Sequence, residues 1–163
     1  MNDLFEVWAF TRVRLDQSLE GLGDEELKWR QHDNSHTIGE ILYHIAGAEH
    51  YWAARLQRID PKKTEFDSKL DLAIHDGFLR EGKSPFEGSK MNLDDCSRAL
   101  EYTRAEIEPI LSNPSAEMLE MPLISPVGDH VTGRQGLHRL VQHAGYHTGQ
   151  IWMIRFHPNF PMG

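Results

Sequence analysis

The sequence predicts an all-α fold: a four-helix bundle with a long loop after the second helix and a small extended excursion before the fourth. Three observations carry this reading. Four stretches repeat apolar residues at three- and four-residue intervals, the period of an amphipathic helix. Capping and breaking residues bracket those stretches. The chain has 163 residues, 39% of them hydrophobic, enough for one compact domain over residues 1–163 in which four apolar stripes bury one another. No internal repeat or low-complexity segment interrupts that plan.

The first helix is expected from Asp3 to about Leu22, with Leu4, Val7, Trp8, Thr11, Leu15, Ser18, Leu19 and Leu22 on its inner face. Asn2 or Asp3 would cap its start, and Gly21 with Gly23 would end it. A polar loop follows to His36, marked by Asp33-Asn34-Ser35. Thr37-Ile38-Gly39-Glu40 reads as a capping box, opening a second helix that runs to about Leu56. From Asp60 to Met91 the pattern breaks at Asp60-Pro61 and Gly82-Lys83-Ser84-Pro85, with one helical turn around Leu70 to His75. A connection of that length often lids or lines a site.

The third helix spans about Leu93 to Leu111, pointing Leu93, Cys96, Leu100, Thr103, Ile107 and Leu111 inward, and Ser112-Asn113-Pro114 ends it. Leu119 to Thr132, with Pro122, Pro126 and Gly128-Asp129, reads as an extended excursion or small hairpin. The fourth helix runs from about Gly133 to Phe156, ahead of Pro158. Gly136, Leu140, His143, His147, Gln150 and Ile154 fall on one face of it.

Charge and composition exclude several functions. The formal net charge is −8 with no basic cluster, which argues against nucleic-acid binding through phosphates. No apolar run approaches the length of a membrane span, and Met1-Asn2-Asp3-Leu4-Phe5-Glu6 lacks the basic and apolar regions of a signal peptide. The single cysteine, Cys96, has no intramolecular disulfide partner and fits a small buried thiol rather than a nucleophile. A cytoplasmic protein is expected.

The chemistry-bearing feature is His143-Ala144-Gly145-Tyr146-His147. Imidazoles four residues apart on a helix are offset by only about 40° and can clamp one divalent ion. His44, within Ile38 to Ala46, is a third candidate from a second apolar helix. With 10 histidines in the chain, a hydrogen-bonded core role competes with ligation for each of them. Ala144 stands where a zinc protease needs glutamate, so that chemistry is disfavoured. No glutamate lies three residues before any histidine, which disfavours a di-iron bundle. Nucleophile-elbow and phosphate-loop motifs are absent. Glu40 could orient His44 but is better placed as a cap, and Gln150 lies on the ligand face. Tyr146 borders that face as a core residue. His32, His36 and His138 read as surface or loop residues, and the four tryptophans as core and interface.

The second-helix segment from Ser35 to Ile45 and the fourth-helix segment from Leu140 to Ile151 together resemble the DinB/YfiT-like superfamily, whose DinB is a DNA-damage-inducible protein and not the polymerase of that name. The resemblance covers nearly the whole chain. It implies a four-helix bundle with His44, His143 and His147 on one divalent metal, often in a homodimer. It also implies a metal-dependent enzyme acting through a metal-bound thiolate or hydroxide, as in relatives that transfer low-molecular-weight thiols. The chain is short of the extra domain of maleylpyruvate-isomerase-like relatives, which weakens that specific activity. Imidazole ligands suit zinc or nickel, and three ligands with an open fourth place are the pattern of a catalytic site. A small-molecule substrate is then expected, with Trp152 and Phe156 at the dimer face. The alternative is a non-catalytic metal or small-ligand binding protein with a structural metal, which a fourth protein ligand from 60–91 or 119–132 would favour.

Overall fold

A computed structural model describes residues 3–75, 86 and 91–161. The expected turn at 82–85 and the Asn2 cap lie outside them. The chain forms α1 (Asp3–Leu19), α2 (Asp24–Lys28), α3 (Ile38–Gln57), α4 (Glu65–His75), α5 (Leu93–Ser112) and α6 (Ala116–Glu120). Strands β1 (Pro122–Ile124) and β2 (His130–Thr132) and helix α7 (Gly133–Arg155) complete it. The fold is all-α apart from one hairpin. The four long helices close a ring, α1 on α7, α7 on α3, α3 on α5 and α5 on α1. No described helix is long and apolar enough to cross a membrane.

The caps act where the sequence places them. Thr37 Oγ1 accepts from Glu40 N–H while Glu40 accepts from Thr37 N–H, so the box at α3 is reciprocal. Thr132 and Gln135 repeat it at α7, a box the sequence reading passed over. Helix α1 stops at Leu19, short of the expected Leu22, because Gly21 turns left-handed at φ 75° and folds Leu22 back into the core. Val7, expected inside, faces outward with Phe10 and Val13. The expected polar loop contains α2, whose Leu27 is fully buried. The single turn expected at 70–75 is the end of the longer α4, started by Thr64 and Asp67 capping each other.

Helix α3 is the axis of the molecule, with every residue from Ile38 to Leu56 buried except Arg55. That burial encloses Glu40, His44, Glu49 and His50, each of which needs partners. Glu49 finds them on two neighbouring helices: Trp8 Nε1 donates at 3.0 Å, Arg12 at 3.2 Å and Thr103 at 2.8 Å. A bare carboxylate there would cost several kcal/mol, so this network locks α1 and α5 onto α3 in one register. Helix α4 lies close on α3 because Gly47 has no side chain; a Cβ there would sit 2.5 Å from the Leu70 carbonyl oxygen.

The excursion before α7 is an antiparallel hairpin pairing Pro122 with Thr132, Leu123 with Val131 and Ile124 with His130. Tyr51 on α3 donates its hydroxyl to the Ile124 carbonyl at 2.5 Å, holding the hairpin over the α3–α7 groove.

Candidate metal centre

His44, His143 and His147 come together across the α3–α7 groove, the depth match that helical periodicity alone leaves open. His143 Nε2 lies 2.9 Å from His44 Nε2 and 3.1 Å from His147 Nε2. Two of the rings are held from behind. His44 Nδ1 faces the Ala73 carbonyl at 2.9 Å, and His147 Nδ1 faces Gln150 Oε1 at 2.6 Å. A carbonyl oxygen only accepts, so each of those Nδ1 atoms donates and each Nε2 turns a lone pair inward. One proton on His143 Nε2 can satisfy one of those lone pairs, whereas a cation at their convergence satisfies all three. This donor set fits a divalent ion.

His143 is the least supported of the three, because its buried Nδ1 has no hydrogen-bond partner among the described residues. Electrostatics favours the ligating form throughout. Burial pushes His44 down to about 3 and His147 to about 4. Burial followed by the charges of His147 and His44 pushes His143 to about 2. All three imidazoles are therefore neutral at pH 7, as metal ligands must be.

The triad opens into a cavity of about 440 Å³. Ala48, Trp52 and Ile74 form one apolar wall, and Ser125, Pro126 and Val127 of the hairpin turn form the roof. Trp52 is set in place by Gly136, where a Cβ would approach its ring to 2.5 Å. The loop after α3 therefore does line the site, through Ile74 and the Ala73 carbonyl. Among the described residues no fourth His, Cys, Asp or Glu joins the triad.

Several assignments change. That of Glu40 does not: it is the α3 cap, and beyond the cap it pairs with Arg30 at 2.5 Å, so that His36, the Thr37 N–H and Arg30 overcome desolvation to hold its carboxyl down at about 2. His36 stays in the loop before α3, but there it is half-buried and lines the cavity. Tyr146 is exposed at the cavity edge, not core, and its hydroxyl accepts from Gln150 Nε2 at 3.2 Å. Gln150 thus bridges His147 and Tyr146, a role signalled only by its i,i+3 spacing from His147. Trp8 and Trp52 are core residues, while Trp29 and Trp152 are half-buried. Cys96 is buried beside the Gly39 carbonyl, and burial together with Asp95 pushes its thiol up to about 12, so it is no nucleophile.

A second cluster escaped the sequence reading. His50 Nδ1 lies 2.8 Å from Glu106 Oε2, and its Nε2 lies 2.8 Å from the Pro61 carbonyl. Asp67 completes the group.

The family model of the DinB superfamily matches residues 8–151, and the chain belongs to that superfamily. The chain is also similar to the crystal structure of a conserved protein from Enterococcus faecalis, with 18% sequence identity and a TM-score of 0.71 over 93% of this chain and 92% of that one. At that identity the likeness concerns the fold alone. No curated protein matches the chain.

Proposed function

We propose that this DinB-superfamily chain binds one divalent ion, zinc or nickel, through His44, His143 and His147, and that it is a metal-dependent enzyme of the thiol S-transferase type. The observation that carries the reading is the convergence of three neutral imidazole Nε2 atoms at the floor of an open cavity. A dication held there supplies the uncompensated positive charge that ionises a small thiol, or water, at neutral pH.

The chain's own residues supply the rest. The Ala73 carbonyl and Gln150 hold protons on the far nitrogens of His44 and His147, which keeps both rings aimed. Trp52 and Ile74 exclude water from one side of the cavity. Tyr146, which accepts from Gln150, retains its own proton to donate to a bound group. Cys96 is buried in the core and no thiol is among the described residues lining the site, so the thiol comes from solution as a low-molecular-weight cosubstrate. Its sulfur forms the new bond to the electrophile, whose leaving group departs with the electron pair.

Metal analysis of protein purified without a histidine tag tests the ligand set. His44→Ala and His147→Ala should lose the ion while His138→Ala keeps it, and full loading of His147→Ala would overturn the assignment. Cobalt-substituted protein titrated with glutathione, bacillithiol or mycothiol should then develop a sulfur-to-cobalt charge-transfer band. Failure of all three thiols removes the transferase assignment and leaves hydrolysis or simple binding.

The chain pairs as a homodimer through the outer α1 and α7 faces. Phe10, Met153 and Phe156 are exposed there, and Trp152 stacks on Phe156 at 5.5 Å. Light scattering at micromolar concentration should give twice the 18.8 kDa chain mass.

A further inference from the structure

The cavity differs in charge from the molecule that contains it. The chain carries 25 acidic side chains against 17 Lys and Arg, yet no Asp or Glu is among the described residues that line the cavity. Its ionisable lining consists of four histidines, Tyr146 and Arg139. Arg139 sits one helical turn before His143 on α7, so its backbone lies about 6 Å from that of His143 along the helix axis. Its guanidinium is already oriented: NH1 donates to Asp129 Oδ1 at 2.8 Å and NH2 to Oδ2 at 2.5 Å. Asp129 is held in turn by the Ser125 hydroxyl at the hairpin turn.

We propose that the cavity takes an amphipathic organic anion, whose acid group docks on Arg139 and whose apolar body lies along Trp52, Ile74 and Val127. This rests on the reading of the cavity as the substrate site and names the class of molecule it selects. Three features support it. A guanidinium has five donors in a fixed fork, and Asp129 engages one N–H on each terminal nitrogen, leaving others for a carboxylate. The Arg139–Asp129 pair is about half exposed, at 46% and 45% for the two side chains, so the guanidinium stays within reach of solvent and of a bound anion. The rest of the lining includes an indole, an isoleucine and a valine, which rewards a hydrocarbon body and disfavours a fully hydrated ion. An acidic exterior slows the approach of anions, so selection for one depends on the Arg139 guanidinium that this lining presents among neutral imidazoles.

The competing role for Arg139 is a latch that only fastens the hairpin turn to α7. Calorimetric titration with 3-phenylpropionate and its neutral amide, 3-phenylpropionamide, separates the two. The probe should be titrated into metal-loaded and metal-free protein, since a carboxylate also ligates metals. Wild type should prefer the acid over the amide by about tenfold or more in both forms, the range of one charge-assisted bidentate contact. Arg139→Gln should abolish that preference in the metal-free protein while leaving amide binding and metal content unchanged, and Arg139→Lys should restore part of it. Equal binding of acid and amide by metal-free wild type, an acid preference that survives Arg139→Gln, or no binding of either probe would overturn the proposal. Loss of metal binding by wild type would refute the metal assignment and leave the acid preference standing as a separate result.

Discussion

Helix α3 carries two buried histidines six residues apart, His44 and His50, and their surroundings make them opposites. His44 has one acceptor, the Ala73 carbonyl, and its other nitrogen meets two more imidazoles. His50 has an acceptor at each nitrogen, the Glu106 carboxylate and the Pro61 carbonyl. Burial disfavours the charged form of both. At His44 little opposes it, and the ring is neutral with a lone pair turned to the cavity. At His50 desolvation is outweighed by Glu106, Pro61 and Asp67, so its pKa is raised, and an acceptor at each nitrogen favours the doubly protonated ring. Burial therefore does not assign a histidine its role; the group facing its second nitrogen does.

The comparison breaks most visibly if the clamp at His50 is removed. His50→Leu or Glu106→Gln leaves a buried charged partner uncompensated, and each should destabilise the fold by about 3 kcal/mol in urea unfolding at pH 6. The same change at the exposed His138 should cost almost nothing.

Sharpening it requires pH. The folded-state pKa of His50 is raised above the unfolded value of about 6.5, so its contribution is complete below that value and is lost as pH rises through the folded pKa. Asp67 and Tyr102, which also face this ring, bear on the curve: Tyr102 and Thr64 lower the Asp67 carboxyl despite its burial, and the Tyr102 hydroxyl is raised first by burial and then by Asp67. Wild-type stability should therefore decline on the alkaline side, and His50→Leu should flatten that limb. A wild-type curve unchanged from pH 6 to 9 would exclude the imidazolium.

On the triad side, Gln150→Ala removes the acceptor that faces His147 Nδ1 and should weaken metal binding by roughly tenfold without unfolding the protein. Competition with a chelator reads this directly. The smallest effect is expected at Cys96: native protein at pH 8 should resist iodoacetamide over hours, and Cys96→Ser should leave metal content unchanged.

The long helices were legible because local rules suffice for them. Apolar spacing, the Thr37 box and the glycines around residue 22 are all read within one or two turns. So was the His143–His147 pair, since i,i+4 spacing on a helix fixes a shared face. Where the reading failed, a distant residue decided. Val7 reads as inward by period, but the inner surface of α1 is set by Trp8 and Arg12 reaching Glu49, 41 and 37 residues away. His36 lies in the loop where the reading puts it, and only the fold makes that loop part of the cavity lining.

The sequence by itself determined the all-α class, the starts of the four long helices, and the face that carries the histidine pair. Only the tertiary structure decided that His44 meets that pair, that the Ala73 carbonyl and Gln150 orient the rings, and that Arg139 joins a lining with no acid among its described residues. It also decided that His50 faces an acceptor at each nitrogen, which raises its pKa. The physical reason is range: periodicity and capping act over a few residues along one helix, whereas the protonation and aim of a buried side chain depend on whichever group packing brings to its other end.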